Sequence, residues 1–72
     1  MNKTMITEMY DKDSEGWYIT LKRTEGDSYD NPFYTIEKEN INDGRSRTSI
    51  QLNEEQFNIL IRLIEEMPKV KE

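Results

Sequence analysis

The sequence predicts an α+β fold, a four-stranded antiparallel sheet followed by one C-terminal helix, in a chain that pairs as a dimer. Three observations carry this expectation. Four stretches show the two-residue alternation of strands and are separated by clusters of turn-forming residues. The alternation gives way to a 3.6-residue period after Leu52. A chain of 72 residues also has little core of its own and needs a staple. Residues 1–72 read as one domain, with strands at about 4–10, 17–23, 33–39 and 46–52 and a helix at about 54–67.

The first strand mixes Thr, Ile, Met and Tyr, with Ile6 and Tyr10 on one face and Met5 and Met9 on the other. The polar run Asp11 to Gly16 ends it. In the second strand Trp17, Ile19 and Leu21 alternate with Tyr18, Thr20 and Lys22, so a core face and a solvent face can be named. Thr24 to Pro32 gathers Gly, Asp, Ser, Asn and Pro and reads as a loop before the third strand begins at Phe33. Asn42-Asp43-Gly44 is the strongest hairpin signal, because Asp-Gly adopts the positive dihedrals of a tight reversed turn. In the fourth strand Thr48, Ile50 and Leu52 alternate with Arg47, Ser49 and Gln51. Asn53 is placed to cap the helix, Glu54 and Glu55 complement its positive end, and Gln56 completes a capping box. Pro68 stops it. Met1 to Lys3 and Lys69 to Glu72 are expected to fray.

Composition excludes more than it suggests. The chain is 33% hydrophobic and 35% charged, with 15 acidic and 10 basic residues and neither cysteine nor histidine. Disulfides, Cys/His zinc sites, Ser-His-Asp triads and thiolate nucleophiles are therefore closed to it. Gly16, Gly26 and Gly44 stand too far apart to cradle a phosphate. There is no apolar run long enough to span a bilayer and no basic-then-apolar N-terminus for secretion. The expectation is a cytoplasmic binding protein without catalytic residues or cofactor. Cores of this size supply only about 3–5 kcal/mol, and with disulfide and metal excluded a second subunit remains.

The helix points the same way. At 100° per residue Phe57, Leu60, Ile61, Ile64 and Met67 form one stripe, and Ile59 and Leu63 widen the apolar arc to roughly half the circumference. Packing on one sheet needs a stripe of only a little over 100°. The excess is expected to meet the same helix of a second copy, with Ile59, Leu63 and Met67 at the dimer interface.

Two segments invite a ligand. Asp11 to Gly16 imitates the opening of a calcium loop, with oxygen-bearing residues at its first, third and fifth positions and glycine at its sixth. Its twelfth position is Lys22 where a bidentate acid is needed, so an ordinary metal-free hairpin turn is expected. The solvent face of the sheet is the better candidate. It carries Tyr18, Thr20 and Lys22, some of Tyr34, Ile36 and Lys38, then Arg47, Ser49 and Gln51, a mixture of flat rings and cations suited to stacking unpaired bases. The net charge of −5 opposes phosphate binding. However, Asp11, Asp13, Glu15, Glu25, Asp27, Asp30 and Asp43 are all expected in turns, which leaves the strands locally neutral to basic.

The element order, the Phe33-Tyr34-Thr35-Ile36 strand, the basic Arg45 and Arg47 after a turn, and above all Ile50-Gln51-Leu52-Asn53-Glu54-Glu55-Gln56-Phe57 resemble the C-terminal domain of the positive-cofactor-four transcriptional coactivators. They resemble more closely the short bacterial YdbC-type members, whose entry to an earlier strand Gly16-Trp17 also matches. The resemblance covers roughly residues 16–66. It implies a dimeric binder of single-stranded DNA or RNA, with curved sheets presenting aromatic and basic side chains and helices at the dimer interface. By position it implies Trp17, Lys22, Tyr34, Lys38, Arg45 and Arg47 as nucleic-acid contacts.

A rival reading belongs to another class. Small acidic domains without cysteine also act as inhibitors, some phage-encoded, that offer carboxylates where a nucleic-acid-binding protein expects phosphates. Here Glu54, Glu55, Glu65 and Glu66, with Asp27 and Asp30, are the candidate surface.

Overall fold

The structure, a computed structural model, describes residues 3–40, 42 and 47–68. It is a four-stranded antiparallel meander followed by one helix, as expected: β1 (Thr4–Lys12), β2 (Trp17–Gly26), β3 (Phe33–Asn40), β4 (Arg47–Asn53) and α1 (Glu54–Glu66), with the strands side by side in chain order. The Asp43-Gly44 turn lies outside the described residues.

The β1–β2 hairpin is longer than the sequence suggests. Lys12 pairs with Tyr18 and Thr4 with Gly26, so two residues read as turn and three read as loop belong to the strands. The reason is the tightness of the turn. The Asp13 carboxylate accepts the N–H groups of Glu15 and Trp17 at 2.8 and 2.9 Å, the Asp13 N–H donates to the Trp17 carbonyl, and Gly16 takes the positive φ that closes the turn. Pairing then runs unbroken to Gly26, where a side chain would collide with the Lys3 carbonyl and Thr4.

Register divides the sheet into two unlike faces. Leu21, Ile36 and Ile50 stand opposite one another across three strands, with Met9 beyond Leu21. Trp17, Ile19, Tyr34 and Leu52 share this apolar face, because side chains alternate along each strand. The other face carries Tyr10, Tyr18, Thr20, Lys22, Thr35, Ser49 and Gln51.

α1 begins where the period changes. The Asn53 side chain accepts the Gln56 N–H at 2.8 Å and the Gln56 side chain accepts the Asn53 N–H at 3.0 Å, the complete capping box. The helix ends one residue early, because Met67 precedes Pro68 and is extended. It returns over the apolar face and rests on β3 and β4, where the Phe57 ring stacks on Tyr34 at 3.8 Å and 10°. Of the predicted stripe, Phe57 and Leu60 are half-buried, while Ile61, Ile64 and Met67 are exposed.

The body is thin, 51 × 34 × 16 Å. Among the described residues no hydrophobic side chain is fully buried, and only Thr24 is buried at all. With so little core, each local device weighs heavily. Asn53→Ala should lower unfolding free energy by about 1 kcal/mol and Asn53→Asp should preserve it, read as a shift of the urea midpoint at unchanged slope.

Candidate nucleic-acid interface

The polar face is organised in rows that run across the strands. One row is Lys12, Tyr18, Glu39 and Arg47; the next is Tyr10, Thr20, Glu37 and Ser49; a third is Glu8, Lys22, Thr35 and Gln51. Short hydroxyl side chains at Thr20, Thr35 and Ser49 leave the long ones between them free to reach across the sheet.

The six contacts expected from the resemblance do not share this surface. Lys22 and Arg47 lie on it. Trp17, Tyr34 and Lys38 lie on the opposite face, and Arg45 falls outside the described residues. Lys38 places its ammonium 4.6 Å from the centre of the Trp17 ring, a cation–π contact, and Tyr34 is engaged by Phe57. The cause is the parity of β3. Tyr34, Ile36 and Lys38 side with Trp17, Ile19 and Leu21, so Phe33, Thr35, Glu37 and Glu39 are what β3 presents on the polar face.

Two polar-face residues were missed. Tyr10 packs its ring against Tyr18 at 6.0 Å and 54°, and Lys12 sits directly opposite Tyr18. The signal was present, since Tyr10 follows the same alternation as Ile6, but only the β1–β2 register places that alternation on the side of Tyr18.

Acids also reach the strands. Asp11 and Glu25, expected in turns, lie in β1 and β2 on the apolar side, because the hairpin extends past both. The polar face itself carries Glu8, Glu37 and Glu39 against Lys12, Lys22 and Arg47, a balance of three to three among the described residues. Two of the three cations converge on one acid. Glu37 receives Lys22 Nζ at 2.9 Å on one oxygen and Arg47 Nη2 at 2.6 Å on the other, and Glu8 stands 3.9 Å from Lys22. The hydrogen bond from Arg47, then that from Lys22, holds the Glu37 carboxyl below the usual carboxylate range, and the same bridge raises Lys22 and Arg47.

The acids of the inhibitor reading lie at the two ends of α1 and between β2 and β3. Glu54 and Glu55 open α1 and Glu65 and Glu66 close it, about 16 Å apart along the axis, while Asp27 is bonded to the Lys3 N–H at 3.2 Å. Among the described residues no group of three or more acids is arranged to hold a metal, and no helix is long and apolar enough to cross a membrane. The Asp13 carboxyl, at the third position of the calcium-like loop, accepts the backbone N–H groups of Trp17 and Glu15, which lower its pKa. No family model, no curated protein and no solved structure matches the chain.

The pH dependence follows from the direction of these shifts. A depressed carboxyl stabilises the fold above its unfolded pKa, and the contribution disappears as pH falls through the folded value. A raised lysine contributes below its unfolded pKa and is lost as pH rises through the folded one. The stability difference between the parent and Glu37→Gln should be constant across neutral pH, shrink to nothing in acid below the ordinary glutamate range near pH 4, and shrink again in strong alkali. Thermal melting over a pH series checks both ends.

Proposed function

We propose that the chain is a homodimer that binds single-stranded DNA or RNA across the polar face of its sheet, in a transcription- or replication-associated role. The observation that carries the reading is the two-sidedness of the sheet. One face holds adjacent tyrosine rings with Lys12, Lys22 and Arg47 around them, and the other holds more apolar surface than its helix covers.

The polar face supports the nucleic-acid half. Tyr10 and Tyr18 are a ready stacking pair, and stacking of a base on an aromatic ring contributes about 1–3 kcal/mol whatever the base. Because three acids share the face with three cations, phosphate attraction is weak and stacking leads. The reading therefore favours a binder without base preference and with a shallow salt dependence.

Exposed area supports the dimer. The chain presents 6486 Å², against about 4,700 Å² for a folded monomer of this mass. The excess, about 1,800 Å², is what one partner of an obligate homodimer hides, since such interfaces bury about 2,000–5,000 Å² in total. Apolar side chains contribute to it. Ile59, Leu63 and Met67 are 41%, 51% and 66% exposed, and an open groove of about 260 Å³ between α1 and the sheet is lined by Ile36, Ile50, Leu52, Leu60 and Leu63. A second copy of this face has the same size and character, which supports the reading of Ile59, Leu63 and Met67 as interface residues.

Fluorescence anisotropy with labelled oligothymidine and oligouridine at low salt tests the first half. Tyr10→Ala and Tyr18→Ala should each weaken binding by about 1–3 kcal/mol, and absence of binding by the parent ends the reading. Sedimentation equilibrium tests the second. The expected mass is twice 8.7 kDa, with Leu63→Glu shifting it toward the monomer; a monomeric parent at high micromolar concentration contradicts the dimer.

A further inference from the structure

We infer that Lys22 and Arg47 form a phosphate-binding pair on the polar face, and that the protein's own Glu37 carboxylate occupies the site until a nucleic-acid strand displaces it. The inference rests on the reading above and adds to it a built-in competitor.

The geometry of the bridge carries it. β3 runs between β2 and β4, and Lys22 and Arg47 stand on these flanking strands one row to either side of Glu37, so they are about 16 Å apart at the backbone and meet only by leaning inward over Glu37. Glu37 lies beneath their meeting point. Each of its oxygens takes one cation, at 2.9 and 2.6 Å, so one singly charged anion with two oxygens bridges two donors. A phosphodiester offers the same charge and the same pair of terminal oxygens. Glu37 is the sheltered member at 12% exposure of its side chain, whereas Lys22 and Arg47 are 32% and 57% exposed. The cations therefore keep open sides through which a second anion can reach them.

The neighbours allow that approach. Glu37 is flanked in its row by Thr20 and Ser49, whose hydroxyls are short and able to donate to a phosphate oxygen. Tyr10 continues the same row beyond Thr20, and its ring partner Tyr18 stands in the next row. A strand whose bases stack on these rings thus carries its backbone over Lys22 and Arg47. Exchange of one carboxylate for one phosphate changes little in net charge, so a free anion has little to gain there. A strand that also stacks has. Glu37 in this way makes phosphate contact conditional on base contact.

The test compares the parent, Glu37→Gln and, as a control for simple loss of one negative charge, Glu39→Gln, which faces Arg47 in the neighbouring row. Oligothymidine affinity is measured by anisotropy at 50 and 200 mM salt, with circular dichroism to verify the fold. Freeing two phosphate contacts at about 0.7 each in the log–log salt slope makes the affinity of Glu37→Gln fall about sevenfold more steeply over that fourfold range. Glu37→Gln should also be tighter than the parent at 50 mM, with a smaller effect for Glu39→Gln. Equal slopes for the parent and Glu37→Gln, or equal effects of the two variants, overturn the competitor while leaving nucleic-acid binding in place. No binding by any of them overturns both. The unmodified protein gives an independent reading: by carbon-detected NMR the Glu37 carboxyl should titrate closer to the ordinary glutamate range when oligothymidine is bound, and an unchanged titration refutes displacement.

Discussion

One 13-residue helix has to cover one face of a four-stranded sheet, and its dimensions do not allow it. A helix of this length is about 20 Å long and 10 Å wide, whereas strands of seven to ten residues spaced about 4.8 Å apart present an apolar face roughly 25–30 Å long and 15 Å or more across. α1 leaves β4 directly, without a loop, so it folds back over β3 and β4 and is held there by Phe57 on Tyr34. The half of the face made by β1 and β2 is left open, with Met5 and Met9 61% and 70% exposed. The absence of a closed core, the thin body and the expectation of a second subunit all follow from this mismatch of areas.

The same alternation that makes one face apolar forces the other to be built from what remains. Every second residue of β1 to β4 is polar or charged, with Ile6, Tyr10, Tyr18, Gly26 and Phe33 as the exceptions, and the charges come from all four strands. Oppositely charged residues on adjacent strands then meet across the sheet, and Glu37 on a central strand collects one cation from each side. Such surface pairs contribute little to stability. Their larger effect is on the charge the face shows, because two of its three cations already hold a carboxylate.

Much of this was legible in the sequence, for physical reasons that differ by element. Asn53 to Gln56 announces a helix start through four consecutive residues whose roles are local, so the capping box could be read without knowing what the helix packs on. β2 and β4 each alternate cleanly, and their faces were read correctly. β3 defeats this approach, since Phe33, Thr35, Glu37 and Tyr34, Ile36, Lys38 each open on an aromatic residue and end on a charge. Which set faces inward depends on the pairing of Ile36 with Leu21 and Ile50, a long-range fact. The expected contacts Tyr34 and Lys38 therefore fall on the face opposite Lys22 and Arg47. The ends of β1 and β2 were hidden for a related reason: composition marks Asp11 and Glu25 as turn residues, but the tight Asp13 turn dictates that whatever follows must pair.

Net charge alone is a poor guide for such a protein. A balance of −5 describes the whole chain, yet the polar face carries equal numbers of acids and bases, and a good share of the excess acid sits at the two ends of α1 and in the turns. For a binder led by stacking this distribution is serviceable. A strongly cationic face would hold any polyanion, duplex included, through phosphate contacts that carry no information about strandedness. Under the proposed function, a face with two of its three cations already paired would reward a ligand mainly when unpaired bases reach the tyrosines, and bases in a duplex are not available for that. Under the same proposal, weak phosphate attraction and preference for a single strand would both follow from the same carboxylate at Glu37.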